Sequence, residues 1–362
     1  MSVASKIKVL VVDDSAIVRK ILSQTLSEES DIEVVGTAPD PYIARDKILS
    51  LNPDVLTLDI EMPRMDGLTF LKKLMQSRPM PVIVISSLGQ KSSRAALEAM
   101  QYGAVEVLGK PGGPYSVGDL RTDLPRKVRA AAHARVAAPR AVPQSPPPPR
   151  AAAPRSISNL APASSSEPVF LIGASTGGTE AIVQVLSVLP EDSPPVVIVQ
   201  HIPAVFSRAF ADRLDTICRV RVKEAENNDQ LARGLALVAP GNHHVLLKRY
   251  GEHYRLLLDD GPLVCYQRPS VDVMFRSAAG FAGPDFTAAI LTGMGSDGAA
   301  GMLELKQAGV HTIAQDEQSC VVFGMPREAI RLGAVDQVLP LNRIGAALVA
   351  RSGRIAAPVL QH

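Results

Sequence analysis

VFLIGASTGGTEA, residues 169–181, joins an apolar run to a glycine-rich turn and then to the start of a helical pattern. The run Val169–Gly173 has no polar side chain, which is typical of a strand that is buried on both faces of a parallel sheet. The glycines that follow permit a sharp turn. The stretch therefore predicts a strand followed directly by a helix, the repeating unit of α/β domains.

The same alternation of apolar runs and amphipathic stretches continues on both sides of this segment. The apolar runs are Val9–Val12, Val55–Leu58, Pro81–Ile85, Ala104–Leu108, Pro195–Val199, Leu235–Ala239, Ala288–Leu291 and Thr312–Ala314. The helical stretches include Ile17–Leu26, Gly67–Met75, Glu180–Leu189, Ser207–Leu214 and Ala299–Gln307, and a hairpin over Val245–Leu258 is predicted to turn at Gly251. The pattern predicts the α/β class, with a mainly parallel sheet and helices on both of its faces in each part.

The middle of the chain has a different composition. A length of 362 residues suggests two domains. Residues 124–166 contain seven basic residues and no Asp or Glu, and nine prolines lie between Pro139 and Pro168. Such a segment buries too little apolar surface to offset its ordering entropy. We predict a first domain at 1–123, a flexible Pro/Ala/Arg-rich linker at 124–166, and a second domain at 167–350. A helix around Arg121–Arg135 is kept as an alternative for the first part of the linker.

The charge distribution argues against nucleic-acid binding by either domain. The net charge of +2 divides into −2 for residues 1–123, +7 for the linker and −3 for residues 167–362. Nucleic-acid-binding domains usually carry a basic excess, which here lies in the linker alone. No apolar run is long enough to span a bilayer and the N-terminus lacks a signal peptide, so we expect a cytoplasmic protein without membrane insertion. The three cysteines, Cys218, Cys265 and Cys320, are expected to be buried hydrophobes rather than a disulfide or zinc framework.

Polar residues follow the apolar runs of the first part. Asp13 and Asp14 come after the first run and Asp59 after the second, and Ser86 and Lys110 follow the next two. The carboxyl ends of parallel strands meet at one edge of the sheet, where ligands bind. Clustered carboxylates repel each other unless a cation lies among them, and hard oxygen ligands suit Mg²⁺. Taken alone, Asp14 would be read as a helix cap.

These positions, with DIEMPRMDG at 59–67 and Lys110-Pro111, resemble the response-regulator receiver domain, and the resemblance covers residues 7–123. It implies a flavodoxin-like fold in which Asp59 accepts a phosphoryl group from a histidine kinase. It also implies that Asp13, Asp14 and Asp59 bind Mg²⁺, that Ser86 is the switch hydroxyl, and that Lys110 contacts the phosphate. Val107 stands where the family often has an aromatic switch residue, which puts the usual aromatic readout in doubt.

The second domain has three candidate catalytic residues at strand ends. Ser175 lies in a G-x-S-x-G spacing, His201 follows the strand ending near Gln200, and Asp297 lies in the glycine-rich stretch LTGMGSDG. Ser, His and Asp from three strand edges suit a nucleophilic triad. The local sequence leaves other interpretations open: a glycine-rich phosphate cradle, a serine helix cap, or a structural histidine. The order Ser, His, Asp also differs from that of α/β-hydrolases.

Longer motifs in the second domain strongly resemble the chemotaxis protein-glutamate methylesterases of the CheB type. The motifs are GASTGGTEA (173–181), VIVQHIPAVFSRAFADRLD (197–215), VAPGNHH (238–244), RPSVDVMFRS (268–277), ILTGMGSDGAAGM (290–302) and TIAQDEQSCVVFGMPREAI (312–330). The resemblance implies hydrolysis of glutamate γ-methyl esters on chemoreceptors, and in many members deamidation of receptor glutamines. It implies that Ser175 is the nucleophile, His201 its base and Asp297 the orienting carboxylate, with Thr176 and Met294 lining the oxyanion region. The esterase chemistry itself needs no cofactor.

The resemblance also implies a regulated enzyme whose unphosphorylated receiver blocks the triad, and we expect a monomer. Its expected partners are methylated chemoreceptors as substrate and the histidine kinase as phosphodonor, with no nucleic acid. Two rival functions remain at this point. One is a response regulator whose output domain only binds a partner or nucleic acid, and the other is a serine hydrolase with a different ester or amide substrate.

Overall fold

The structure, a computed structural model, describes residues 5–87, 89–111, 117–136, 160–164 and 167–352. The chain divides into two compact units, Met1–Val142 and Pro143–His362. Most of the predicted linker, residues 137–159, lies outside the described residues. Each unit is an α/β domain with a parallel sheet, as predicted.

The first domain contains a five-stranded parallel sheet of order β2-β1-β3-β4-β5. Its strands are β1 (Ile7–Val12), β2 (Ile32–Ala38), β3 (Val55–Asp59), β4 (Val82–Ser86) and β5 (Glu106–Gly109). Its helices are α1 (Ala16–Ser27), α2 (Pro41–Leu51), α3 (Gly67–Ser77), α4 (Gln90–Gln101) and α5 (Val117–Ala132). The central strands β3 and β4 are buried at every residue, which explains their mainly apolar sequences.

Side chains just before three helices fix where those helices begin. Ser15, Asp40 and Asp66 are the N-cap residues of α1, α2 and α3, and each accepts hydrogen bonds from backbone N–H groups of the first turn. These bonds satisfy donors that a helix start leaves unpaired. Because each cap follows a strand by a few residues, the helices leave the carboxyl edge of the sheet in a defined direction.

Helix α5 crosses the predicted domain boundary at residue 123 and corrects it. Leu124 and Val128 are fully buried on its inner face, and Lys127 Nζ lies 2.6 Å from the Glu106 carboxylate on β5. The basic composition of residues 124–132 therefore belongs to a packed helix and not to a linker. The alternative of a helix around Arg121–Arg135 is confirmed, and the helix extends over Val117–Ala132.

The second domain contains a seven-stranded parallel sheet of order β15-β14-β13-β6-β7-β10-β8 and a three-stranded antiparallel sheet of order β11-β12-β9. The strands are β6 (Val169–Ala174), β7 (Val196–Gln200), β8 (Arg221–Glu224), β9 (Asp229–Gln230), β10 (Leu235–Val238), β11 (His244–Tyr250), β12 (His253–Asp259), β13 (Phe286–Ile290), β14 (His311–Gln315) and β15 (Gln337–Leu339). The helices are α6 (Gly178–Leu186), α7 (Ala204–Ile217), α8 (Val271–Ala279), α9 (Ala299–Gln307), α10 (Met325–Arg331) and α11 (Leu341–Arg351). The predicted hairpin is confirmed as β11 and β12, with Gly251 at a positive φ of 57°.

The start of the second domain lies before the predicted residue 167. Ala163 is fully buried in the hydrophobic core of this domain, and its N–H donates to Leu231 O at 2.9 Å. Residues 160–164 therefore pack with the second domain, although their composition resembles that of the linker. At the other end, α11 ends at Arg351, one residue beyond the predicted bound of 350.

Two further sequence expectations can be compared with the described residues. None of the described helices is long and apolar enough to cross a membrane. Cys218 and Cys320 are buried, as expected, but Cys265 is exposed. Cys265 and Tyr266 both have positive φ and form a tight turn between Val264 and Gln267, so the turn geometry keeps this thiol at the surface.

Candidate functional site

The polar residues predicted to meet in the first domain lie together at the carboxyl edge of its sheet. Asp13 follows β1, Asp59 ends β3 and Lys110 follows β5. Lys110 Nζ lies 2.7 Å from Asp59 Oδ2 and 3.2 Å from Asp13 Oδ2. Asp13 and Asp59 are fully buried, whereas Asp14 is exposed.

The three carboxylates of this cluster fit a divalent cation. Asp13, Asp14 and Asp59 each offer an oxygen, and these oxygens lie within 4.8 Å of one another. The pKa of Asp59 is raised to about 6, mainly by burial and also by the nearby Asp13, against the lowering effect of the Lys110 ammonium. Burial also raises the pKa of Asp13 above its usual value. One lysine therefore does not fully compensate the buried charge, and an all-oxygen donor set of this kind suits Mg²⁺.

Ser86 and Val107 occupy the sheet beside this cluster. Ser86 ends β4 and is fully buried, and its hydroxyl donates at 3.3 Å to the carbonyl of Ser92 in α4. Val107, at the position where receiver domains often have an aromatic switch residue, is a buried residue of β5. The neighbouring Ser87 hydroxyl donates at 2.9 Å to Glu61, two residues after Asp59. The loop after β3 is therefore tied to the start of α4 by side-chain hydrogen bonds.

In the second domain, Ser175 lies in the turn between β6 and α6. Its N–H donates at 3.0 Å to Thr292 O, and its carbonyl accepts at 2.9 Å from Gln200 Nε2. Gly177 has a positive φ of 77°, and a Cβ there would lie 2.5 Å from Val321. Glycine at this position therefore allows a sharp strand-to-helix turn that is held from both sides.

His201 lies directly beside this turn. It follows β7, the neighbour of β6, and its N–H donates at 3.1 Å to the carbonyl of Ala174, the residue before Ser175. The imidazole is buried, and its Nε2 lies 2.7 Å from Asp297 Oδ2. Its Nδ1 has no hydrogen-bond partner within the described residues, so no bond to Ser175 Oγ is formed. Such catalytic hydrogen bonds are often long before substrate binds.

Asp297 comes from the loop after β13, on the other side of β6, so the sheet order brings all three predicted residues together. Burial raises the pKa of Asp297, but the hydrogen bonds from His201, from the Ser270 hydroxyl and from the Val271 N–H outweigh it. The net pKa is below the usual value. An ionised carboxylate only accepts hydrogen bonds, so His201 carries its proton on Nε2. In that tautomer Nδ1 is the acceptor nitrogen of the ring.

Thr176 and Met294 lie on the two loops that meet at Ser175. The Thr292 hydroxyl donates at 3.0 Å to Thr176 O, which ties the loop carrying Met294 to the serine turn. A Cβ on Gly293 would lie 2.7 Å from Ser175 Cβ, so glycine permits this close approach. Met294 is half-buried, and its N–H makes no hydrogen bond with any described residue.

The residues that hold Asp297 were not singled out from the sequence. Ser270 Oγ donates at 2.7 Å to Asp297 Oδ1, and the N–H groups of Val271 and Asp272 donate at 2.7 and 3.1 Å. Asp297 therefore lies on the N-terminus of α8, where backbone donors and the helix dipole stabilise a negative charge. The sequence RPSVDV could have pointed to Ser270, because a serine directly before a helical stretch is a typical N-cap.

His244 contacts Ser270 and helps to hold it in place. Its Nδ1 accepts from Ser270 N at 3.2 Å, and its Nε2 donates to Pro262 O at 3.0 Å. These two bonds require the neutral tautomer that is protonated on Nε2. The adjacent His243 lies instead at the surface, paired with Asp260. The two histidines therefore face different neighbours.

Comparisons with known proteins agree with this architecture. The family model described as CheB methylesterase matches residues 170–348, and the one described as response regulator receiver domain matches residues 9–119. A solved CheB methylesterase catalytic domain of Thermotoga maritima is 38% identical with a TM-score of 0.50, and the match covers 51% of this chain and 98% of that chain.

Two similar relatives span almost the whole chain. A protein-glutamate methylesterase/protein-glutamine glutaminase 2 of Syntrophus aciditrophicus is 56% identical, over 95% of this chain and 99% of the relative. A protein-glutamate methylesterase/protein-glutamine glutaminase of Salmonella typhimurium is 51% identical, over 96% of this chain and 97% of the relative. The chain therefore belongs to the family of protein-glutamate methylesterases/protein-glutamine glutaminases, in which a receiver domain precedes a CheB methylesterase domain.

Proposed function

We propose that the second domain is a serine esterase that hydrolyses glutamate γ-methyl esters on chemoreceptors and releases methanol. The observation that carries this proposal is the buried pair of His201 and Asp297, joined at 2.7 Å, beside the turn that holds Ser175. The family to which the chain belongs supports the choice of substrate.

The first half of the reaction forms an acyl-enzyme. Ser175 Oγ attacks the γ-carbonyl carbon of the ester while His201 Nδ1 takes the hydroxyl proton. The Asp297 carboxylate stabilises the imidazolium and keeps the ring oriented through Nε2. The tetrahedral intermediate then collapses, the bond to the methoxy oxygen breaks, and His201 gives its proton to the leaving methanol.

Backbone groups stabilise the negative charge that develops on the carbonyl oxygen. We assign this role to the N–H of Met294, which has no other hydrogen-bond partner among the described residues, together with the turn at Thr176. Preorganised donors of this kind contribute about 2.7–4 kcal/mol each in acyl-transfer enzymes. The side chains of Thr176 and Met294 are not needed for that contribution.

The second half of the reaction restores the enzyme. Water attacks the acyl carbon, His201 accepts its proton and returns it to Ser175 Oγ as the acyl–oxygen bond breaks, and the receptor leaves with a glutamate carboxylate. A receptor glutamine would form the same acyl-enzyme with ammonia as the leaving group. We therefore propose glutamine deamidation as a second activity of the same triad.

We propose that the first domain regulates this activity through phosphorylation of Asp59 by a histidine kinase. Lys110 contacts the phosphoryl group and Ser86 serves as the switch hydroxyl, since both lie at the edge that carries Asp59. Asp13, Asp14 and Asp59 would hold Mg²⁺, which when bound offsets negative charge on the phosphoryl oxygens. We propose that the unphosphorylated receiver blocks the triad and that phosphorylation favours an open arrangement.

The partners follow from these two activities. We propose methylated receptors as substrate, the chemotaxis histidine kinase as phosphodonor, the cytoplasm as location and a monomer as the working form. The rival in which the second domain only binds nucleic acid is disfavoured by the net charge of −3 over residues 167–362. A serine hydrolase with another substrate is the rival that an experiment must separate.

The test is a comparison of substrates with the full-length protein. Methanol release from chemoreceptors carrying methylated glutamates is measured beside hydrolysis of unrelated alkyl and aryl esters, with Asp297→Asn as the control for uncatalysed loss. We expect methanol release to exceed turnover of every unrelated ester in kcat/KM. Preferred hydrolysis of an unrelated ester, or release by wild type equal to that by the variant, would contradict the proposal.

A further inference from the structure

A groove with a volume of about 250 Å³ runs between α2 and α3 of the first domain. Its floor is apolar: Ile48, Phe70 and Leu74 are buried at 2, 7 and 7% exposure. Its edge carries two exposed apolar side chains, Tyr42 at 47% and Leu49 at 67%. None of the residues that line it belongs to the phosphorylation cluster.

The rim of this groove is basic. Arg45, Lys73 and Arg78 line it, and no acidic residue does. Lys73 makes no ion pair with any described residue, Arg45 pairs only with the exposed Asp46 beside it, and Arg78 donates to the neutral Asn52 side chain. The domain that carries this rim has a net charge of −2 over residues 1–123, so the local charge is opposite to that of the domain.

We propose that the α2–α3 groove docks an acidic amphipathic helical segment of a partner protein. Apolar side chains of that segment would enter the groove while its carboxylates face Arg45, Lys73 and Arg78. Helices of 11 residues, as α2 and α3 both are, have a length of about 16 Å, which matches two to three turns of a partner helix.

Other occupants fit the charge and size of the groove less well. Residues 137–159 of this chain contain basic residues and no acidic ones, so the rim repels them. A second copy placed groove to groove would bring two basic rims together. Small-molecule pockets usually span about 300–1,000 Å³, so this groove suits one or two anchoring side chains better than a whole ligand.

The test uses two designed 12-residue helical peptides, labelled with fluorescein and titrated with the full-length protein by fluorescence anisotropy. Both have leucines at helical spacing, and the remaining positions are glutamate in one and lysine in the other. We expect the acidic peptide to bind at least tenfold more tightly than the basic one. We also expect its affinity to fall as salt is raised, because exposed charges are screened.

Variants locate the binding. Lys73→Glu combined with Arg78→Glu reverses the charge of two rim residues, and Leu49→Ser removes an exposed apolar contact. We expect the double variant and the single variant each to weaken binding of the acidic peptide at least tenfold. Lys20→Glu, a charge reversal at an exposed lysine of α1, is the control and should leave the affinity unchanged. All substituted positions lie outside the core, and circular dichroism checks that each variant is folded. No binding by wild type, equal binding of both peptides, or equal affinities in the groove variants and the control would overturn the proposal.

Discussion

Asp297 has the most completely defined surroundings of the three candidate catalytic residues. Its two oxygens accept from the His201 ring, the Ser270 hydroxyl and two backbone N–H groups at the start of α8. These bonds fix both the ionisation of the carboxylate and its direction. The orientation of His201 therefore depends on Ser270, a fully buried residue that acts through Asp297.

Ser270→Ala removes one charge-assisted donor from Asp297. We expect kcat to fall about tenfold or more, as loss of a hydrogen bond worth about 1.5–3 kcal/mol would give, while KM stays near the wild-type value. Ser270→Thr keeps the hydroxyl and should restore most of the rate. If Ser270→Ala has the wild-type kcat, this bond does not position Asp297. The same conclusion follows if Ser270→Thr is as slow as Ser270→Ala.

Gly293 allows the loop carrying Met294 to approach Ser175. A Cβ there would lie 2.7 Å from Ser175 Cβ and 2.4 Å from Met325 Sδ, so Gly293→Ala must displace one of these loops. We expect a loss of esterase activity of at least tenfold in a folded protein. Gly280→Ala is the control, because a Cβ at that position meets no atom within 4 Å. Similar activities of the two variants would contradict this account of the close contact.

At the residue scale, the sequence predicts the positions that follow strand ends and misses those defined by distant contacts. Ser175, His201 and Asp297 each come after an apolar run, so their convergence could be predicted from a parallel sheet. The bonds of Ser270 to His244 and to Asp297 join residues 26 and 27 positions apart, with whole strands or helices between them. No local pattern encodes such a pairing, although the serine is recognisable as a helix cap.

At the scale of elements, burial decides which strands could be predicted. The fully buried strands β3, β4, β6 and β7 are mainly apolar in sequence, and the predicted bounds agree with theirs to within one or two residues. Strand β2 is half-exposed over most of its length, and β8 and β9 are short edge segments with polar residues. Their sequences lack the pattern of a buried strand and they were missed.

The ion pair between β5 and α5 is the element-scale feature with the clearest energetic consequence. Lys127 and Glu106 side chains are 10 and 5% exposed and lie 2.6 Å apart. Lys127→Met removes the ammonium that compensates the buried Glu106 charge, so we expect a loss of about 3–5 kcal/mol in the stability of the first domain. Hydrogen exchange of the β5 and α5 amides in the full-length protein measures this loss.

An exposed ion pair on the same helix provides the control. Arg121 lies 3.7 Å from Glu28, and both side chains are 58% exposed. Arg121→Met should therefore change the exchange free energies by less than about 1 kcal/mol. Equal effects of Arg121→Met and Lys127→Met would show that burial of the Lys127–Glu106 pair does not matter.

At the scale of the whole molecule, the charges divide by region. The basic excess of +7 lies in residues 124–166, of which residues 124–132 are part of α5, and both domains outside that segment are mildly acidic. The sequence alone does not decide between helix and linker for this part of α5, because its outer face shares the basic and alanine-rich composition of the segment that follows. The packing of Leu124 and Val128 against the first domain decides the matter.

The proposed regulation is tested by phosphorylating the intact protein. A small-molecule phosphodonor should raise methanol release about tenfold in wild type, which corresponds to a population shift of about 1.4 kcal/mol. Asp59→Asn keeps the size of the side chain and removes the acceptor oxygen, so its basal rate should not respond. Equal stimulation of both proteins would rule out a gate operated through Asp59.

The most direct test of the central proposal is methanol release from methylated receptors by wild type and by Ser175→Ala at matched protein concentration. Removal of the nucleophile should lower turnover by a factor of about 10⁴ or more, while the thermal melting curve stays close to that of wild type. A folded Ser175→Ala protein that releases methanol at a near-wild-type rate would contradict the proposal that this chain is a serine esterase.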